Sequence, residues 1–269
     1  MGRSAVTGTA TAQRAAKPTT TGVRNVQSVD KAFAVLNAFK GRERFLSLGE
    51  LARITRLDKS GVQRFARTLL ELGYLEQDPS TRHYCLGRRL LDLSFEYLRS
   101  HPLIERAAPV LVELRRNARE RVDLTLVDGD DMLFVFRLQS KRESLHAALI
   151  GRRVPAYCSA GGRAVLSRLP EEAARAILER IEIRQVTPHT LTEPDRIMAE
   201  LAKARRMGYA LQSEEWRLGE VVVGAAIVDR TDAPIGAVHI AGSTAEWDPA
   251  EFGERMGPLV AAAAQDVRG

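Results

Sequence analysis

The sequence has too few cysteines for a disulfide framework. Cys85 and Cys158 are the only two among 269 residues, and neither lies in a spacing that binds metal. Such thiol-poor chains are typical of the reducing cytoplasm, which is where we expect this protein to act. The sequence predicts neither a metal site nor a cofactor.

Long apolar stretches are also missing, so no segment is predicted to cross a membrane. Residues 1–22 contain Thr, Ala, Gly and scattered Arg, but no acidic residue and no apolar core like that of a signal peptide. We therefore predict that residues 1–25 form a disordered tail.

Positive charge is concentrated at one end of the chain. Residues 1–100 contain 17 Lys and Arg against 9 Asp and Glu, whereas the remainder contains 23 against 25. The whole excess of positive charge therefore lies in the first hundred residues. This distribution favours a domain that meets a polyanion, joined to one that does not, although solvated surface charge would give the same count.

The first ordered region is predicted to hold three helices. Apolar residues recur at helical spacing over 29–39, and Ser47 with Glu50 matches the Ser-x-x-Glu capping box of a second helix. Asp58 can cap a third helix over 59–72, which Gly73 ends.

A hairpin is predicted after these helices. Two short strands, 74–77 and 83–86, flank the turn residues 78–82. Three helices followed by a hairpin is the order of a winged helix-turn-helix, so residues 26–87 are predicted to be a DNA-binding domain. Residues 88–101 read as a linker helix too apolar to stand alone, which predicts packing against a partner chain.

Residues 102–269 are predicted to form a second domain of α+β class. A helix over 103–119 precedes strand-like runs, and the remaining helices are segregated from the strands, which favours an antiparallel sheet of the GAF or profilin-like kind. The predicted strands are 124–127, 132–138, 145–150, 221–229 and 235–241. The predicted later helices are 161–169, 171–181, 195–207 and 249–265.

The third helix carries the candidate DNA contacts. Its inward residues leave a polar outer face on which Arg can read guanine, Gln can read adenine, and Lys and Ser can hold phosphates. An ordinary amphipathic helix has the same pattern, but the capped helix before it and the hairpin after it favour DNA binding. The candidates are Lys59, Ser60, Gln63, Arg64 and Arg67 on the third helix, Ser47 at the start of the second helix and Arg82 at the tip of the hairpin.

From residue 26 onward the sequence resembles the IclR family of bacterial regulators. The order and spacing of several stretches carry the resemblance, and Asp58 departs from the Pro common before the recognition helix. The stretches are 28–32 (SVDKA), 48–52 (LGELA), 59–64 (KSGVQR), 73–76 (GYLE), 84–87 (YCLG), 151–157 (GRRVPAY) and 208–215. The resemblance implies an effector-binding domain, a homodimer or a dimer of dimers, and a palindromic operator in double-stranded DNA.

The resemblance also implies the effector site. Small residues open an apolar helix at Ser159, Ala160 and Gly161, where backbone amides could cradle a carboxylate, although glycines in a mere turn would look alike. Across the pocket it implies Gln212, Val222, His239 and Ala241. The lead-in 155–158 (PAYC) looks like regulators of protocatechuate and β-ketoadipate catabolism, which points to an aromatic acid. His239 could pair with an anionic ligand or be an ordinary core histidine.

An enzyme and a DNA-compacting protein are the two alternatives to a regulator. An enzyme is disfavoured because the sequence has no phosphate loop, HExxH, CxxC or GxSxG motif, and because a pair of Cys158 with His239 has no evident third residue. The pair Glu214-Glu215 reads as a solvated turn or helix cap. A DNA-compacting protein would not explain the second domain. We therefore expect an effector-controlled transcriptional regulator, with repression favoured over activation.

Overall fold

A computed structural model describes residues 25–140 and 150–268. Residues 1–24 of the predicted tail and residues 145–149 of the predicted strand lie outside the described residues. The chain divides into two compact units, one ending at Tyr97 and the other beginning at Leu98.

The first unit contains three short helices. They are α1 (Gln27–Asn37), α2 (Leu48–Thr55) and α3 (Lys59–Glu71). Both predicted caps are present: Ser47 and Glu50 form the reciprocal capping box of α2, and the Asp58 carboxylate accepts a hydrogen bond from the Gly61 amide at the start of α3. The helices enclose a core that includes Val35, Leu51, Val62, Ala66, Leu69 and Leu75.

A small wing follows α3. Strands β1 (Leu75–Gln77) and β2 (Tyr84–Leu86) pair in an antiparallel manner, and Leu46 adds a bridge to Tyr84. The Asp78 carboxylate accepts hydrogen bonds from the amides of Ser80 and Thr81 and so organises the turn between the strands. The predicted winged helix-turn-helix is therefore present.

Helix α4 (Leu90–Ser100) corresponds to the predicted linker, and none of its residues is buried. Apolar side chains along this helix are exposed to solvent, with Leu91 at 69% and Phe95 at 61% exposure. Exposed apolar surface of this kind is typical of an interaction site.

The second unit is built on a six-stranded antiparallel sheet with strand order β5-β4-β3-β8-β7-β6. The strands are β3 (Arg121–Asp128), β4 (Asp131–Leu138), β5 (Arg153–Pro155), β6 (Ala210–Ser213), β7 (Glu220–Val228) and β8 (Pro234–Ser243). The helices are α5 (Pro102–Ala118), α6 (Ala160–Ser167), α7 (Glu171–Arg180), α8 (Pro194–Met207) and α9 (Pro249–Asp266). The predicted α+β class with an antiparallel sheet is confirmed.

The two faces of this sheet differ in chemistry. Alternate residues such as Leu124, Val223 and Ile240 pack in one core with α5 and α9. The opposite face lies under α6 and carries polar residues among small ones, including Asp123 and His239. This second face, called the α6 face below, contains the predicted effector residues.

Two strands were not predicted. β5 and β6 have only three and four residues, and both lie at the edges of the sheet, where a short segment shows little alternation. Among the described residues, no helix is both long and apolar enough to cross a membrane.

Candidate DNA-binding surface and effector site

Helix α3 is oriented as the sequence predicts. Val62, Ala66 and Leu69 are buried, which turns the opposite side of the helix outward. All five predicted side chains on that side, Lys59, Ser60, Gln63, Arg64 and Arg67, are exposed. The helix therefore presents a polar, basic surface of the kind that a major groove accepts.

The predicted DNA-contacting side chains differ in whether they already form hydrogen bonds within the protein. Lys59, Gln63 and Arg64 have no side-chain partner among the described residues. By contrast, the Ser60 hydroxyl donates to Asp58 at 2.6 Å, and Nε of Arg67 donates to Glu71 at 2.9 Å.

Ser47 is engaged as well. Its hydroxyl accepts from the Glu50 amide at 3.2 Å and donates to the Glu50 carboxylate at 2.7 Å. A phosphate contact through Ser47 would have to replace one of these bonds, so this predicted contact is also a helix cap.

Two arginines at turns have left-handed backbone conformations. Arg56 ends α2 with φ of 57°, and Arg82 lies at the end of the wing turn with φ of 61°. The Arg82 side chain is exposed and has no partner among the described residues. It is therefore available to bind DNA, and the wing contact stays a prediction.

The predicted effector residues come together on the α6 face. Strand pairing places Gln212, Val222 and Ala241 in one row across β6, β7 and β8. Ala160 packs against Val222 and Ala241 in a small buried cluster. His239 lies in the next row, opposite Gly224.

The start of α6 packs tightly against this face. The Ser159 hydroxyl caps the helix by accepting from the Gly162 amide at 3.2 Å. A Cβ built on Gly161 would lie 2.2 Å from Cε1 of His239, and one built on Gly224 would lie 2.5 Å from the Gly161 nitrogen. Only glycine fits at these two positions, and a ligand cannot enter between Gly161 and His239 unless α6 shifts.

His239 is neutral in this environment. Burial lowers the pKa of its imidazole to about 4, with Arg121 and Arg137 lowering it further and Asp123 opposing them. Its Nε2 lies 2.8 Å from the Thr125 hydroxyl, which provides a hydrogen bond. In the ligand-free domain the ring is therefore uncharged near neutral pH, so the expected pairing of His239 with an anionic ligand stays a prediction that would rest on a hydrogen bond or a ring contact rather than on charge.

A buried network of charges beside His239 was missed by the sequence analysis. Asp123 accepts from Nε of Arg121 at 3.0 Å and from Nε and Nη2 of Arg137 at 2.5 and 2.9 Å. Arg121 also donates to Glu220 at 2.7 Å. The alternation of Arg121, Asp123 and Thr125 with Val122 and Leu124 was the available signal, but the predicted strand began only at residue 124.

Glu215 is not solvated, and the expectation for it was wrong. It is buried, and its two carboxylate oxygens accept from Nη1 and Nη2 of Arg163 at 2.6 and 2.5 Å. The Leu191 amide also donates to it at 3.0 Å, and the Gln212 side chain accepts from the Glu215 amide at 3.0 Å. These bonds fasten α6 to the loop that follows β6.

Comparison with known proteins identifies both units. A model of the IclR helix-turn-helix domain matches residues 28–79, and a model described as "Bacterial transcriptional regulator IclR C-terminal" matches residues 95–268. The chain belongs to the IclR family. Members of this family are DNA-binding transcriptional regulators, as the sequence analysis expected.

Individual IclR-family proteins are similar in sequence to this chain along most of its length. The Pca regulon regulatory protein of Pseudomonas putida is 28% identical over 89% of this chain and 82% of its own. The acetate operon repressor of Salmonella typhimurium is 28% identical over 95% of both chains. An IclR homolog from Microbacterium hydrocarbonoxydans, solved with 4-hydroxybenzoate, has the same fold at 22% identity, with a TM-score of 0.72 over 89% of this chain and 97% of its own.

These comparisons set the enzyme alternative aside, because the matched proteins are regulators. The chemistry of Cys158 agrees. Its thiol is fully buried, and burial raises its pKa to about 12, so the nucleophilic thiolate is strongly disfavoured.

Proposed function

We propose that this regulator reads a palindromic operator by inserting α3 into the major groove, while the wing contacts the backbone or the minor groove. The observation that carries the proposal is the set of side chains Lys59, Gln63 and Arg64, which are exposed on one side of α3 and have no partner within residues 25–140 and 150–268. Donors without an intramolecular partner can bind DNA without first breaking a bond.

Arg64→Ala tests this orientation of α3. We expect a loss of about 1–3 kcal/mol in operator affinity and a weaker preference for the operator, because the lost guanidinium reaches a base edge. Gel-shift titrations at fixed salt, with DNA flanking the gene and with scrambled DNA, measure both effects. Arg175→Ala, which removes the same charge from α7, is the matched control, and unchanged binding by Arg64→Ala would mean that another face of α3 meets DNA.

We further propose a homodimer formed through the first unit and α4, because both expose apolar side chains. On α1, Val29 and Phe33 are more than half exposed, and on α4 Leu91, Leu93 and Phe95 are exposed to a similar degree. A two-fold dimer matches a palindromic site, and a second contact through the effector domains would give a dimer of dimers. Light scattering at micromolar concentration, with and without DNA, should show at least a dimer, and a monomer in both would refute the proposal.

The proposed effector is a small organic acid, aromatic rather than aliphatic, bound on the α6 face. The ring centroids of Phe134 and His239 lie 5.8 Å apart there, and the two rings together form an aromatic surface. The same fold accommodates 4-hydroxybenzoate in the Microbacterium homolog. The amides at the start of α6, at Ala160 and Gly161, would donate to the carboxylate.

Binding of such an acid would be coupled to DNA affinity through α6. Because Gly161 touches His239, a ligand entering between them must separate α6 from β8, which supplies the two arrangements that an effector needs to discriminate. We expect His239→Ala to weaken acid binding in calorimetry and to leave ligand-free DNA binding intact. Wild-type affinity in this variant would make His239 a core histidine.

We propose repression as the mode of action, in the cytoplasm. The support is the likeness to the acetate operon repressor over nearly the whole chain. A reporter gene behind the operator should be silent with the regulator present and should recover when the acid is added. Expression that rises only when regulator and acid are both present would indicate activation instead.

A further inference from the structure

The charge network on the α6 face is costly for a small domain to bury. Arg121, Asp123 and the side chain of Arg137 are each at least nine-tenths buried, and Glu220 lies almost as deep. Removing charged groups from water carries a large free-energy penalty, and the mutual attraction of the charges often fails to recover it. Apolar residues would hold the two strands together at lower cost, so stability alone does not account for the network.

Strand register joins this network to the predicted effector residues. Asp123 pairs directly with His239, and Arg121 pairs directly with Ala241. The Arg137 guanidinium also lies over the Phe134 ring, 5.5 Å from its centre, and Phe134 in turn contacts His239. The charges and the aromatic rings therefore form one continuous surface.

One edge of the Arg137 guanidinium has no partner in the part of the chain that the structure describes. Its Nε and Nη2 are both directed at Asp123, whereas none of the described residues accepts a hydrogen bond from Nη1. Asp123 is held from its other side by Arg121, so the guanidinium is fixed in orientation by a partner that is itself fixed. A rigid guanidinium with a free edge is the arrangement that binds a carboxylate in a defined geometry.

Neither His239 nor the start of α6 provides a formal positive charge for the acid group. The imidazole is neutral near pH 7, and Arg163 is committed to Glu215. Among the residues that the structure describes, Arg137 is the buried cation of the α6 face whose guanidinium keeps one nitrogen, Nη1, without an acceptor.

We propose that Arg137 binds the acid group of the effector through Nη1, with the ring of an aromatic monocarboxylate lying against Phe134 and His239. This inference rests on the proposed effector site and adds the residue that recognises the acid. The charges of Arg121, Arg137, Asp123 and Glu220 sum to zero, so a bound monocarboxylate leaves the site with one net negative charge and a dicarboxylate leaves it with two, which only the helix end would offset. Monocarboxylates should therefore bind more tightly than dicarboxylates with the same ring.

Calorimetry on the full-length protein tests the assignment with three probes: 4-hydroxybenzoate, its neutral amide 4-hydroxybenzamide, and 4-hydroxyphthalate as the dicarboxylate. We expect the wild type to prefer the acid over the amide by at least tenfold. Arg137→Gln should lose at least tenfold in affinity for the acid while its affinity for the amide stays within twofold. Arg153→Gln removes the same charge from an exposed partner of Asp128 on β5 and should bind like the wild type.

Arg137→Lys covers the case in which Arg137→Gln does not fold. It keeps the charge beside Asp123 but lacks the planar fork, so the preference for acid over amide should fall although the protein folds. If the wild type and the folded Arg137 variants bind the acid equally, the effector site stands and the assignment of Arg137 is overturned. If the wild type binds neither acid nor amide, the proposed acid effector fails, and this assignment fails with it.

Discussion

Acidification should destabilise the effector domain through His239. An ordinary histidine has a pKa of 6.5, and burial lowers that of His239 to about 4. Between these two pH values His239 is protonated in the unfolded chain but not in the folded domain. Protonation therefore favours the unfolded chain, so the free energy of unfolding is highest above pH 6.5 and decreases as the pH falls. From these two pKa values, the loss in unfolding free energy between pH 7.5 and 5.0 is about 2 kcal/mol, approaching about 3 kcal/mol at lower pH.

Urea unfolding followed by tryptophan fluorescence can isolate this effect. Trp216 and Trp247 are the only two tryptophans, and both belong to the second unit, so the signal reports that domain alone. His239→Gln removes the titrating ring, and the difference in pH dependence between wild type and variant cancels the contributions of other groups. Equal losses in both proteins between pH 7.5 and 5.0 would mean that His239 is not held neutral by burial.

Further substitutions test a buried ion pair, a left-handed turn and a helix cap. Glu215→Gln should cost about 3–5 kcal/mol in the same fluorescence assay, because it leaves the buried Arg163 charge uncompensated, and adding Arg163→Met should recover much of the loss. Arg56→Gly should stabilise the first unit by about 1 kcal/mol by relieving the left-handed strain, seen as a higher melting temperature by far-UV circular dichroism, whereas Arg56→Ala should not. Ser47→Ala should cost about 1 kcal/mol as a lost helix cap, while Ser47→Asp keeps the cap; operator binding by Ser47→Asp that equals the wild type would exclude Ser47 as a phosphate contact.

Local signals in the sequence were sufficient for the first unit. The capping box at Ser47 and Glu50, the cap at Asp58 and the apolar spacing in α3 each depend on residues no more than a few positions apart. Such signals predicted the helices, the wing and the polar outer face of α3 in the right order, and the ordered motifs identified the family. The same periodicity predicted the α+β class and the antiparallel sheet of the second unit.

Only the tertiary structure decided the chemistry of the α6 face. Glu215 follows a second glutamate in what reads as a turn, and its partner Arg163 lies 52 positions earlier. Thr125 and His239 are 114 positions apart, and the pKa of the imidazole depends on burial that no local pattern encodes. Arg137 reaches Asp123 because the pairing of β3 with β4 places the two residues directly opposite each other. Short-range patterns determine which segments become helices and strands, whereas long-range pairing determines which charges are buried together, and burial is what changes their chemistry.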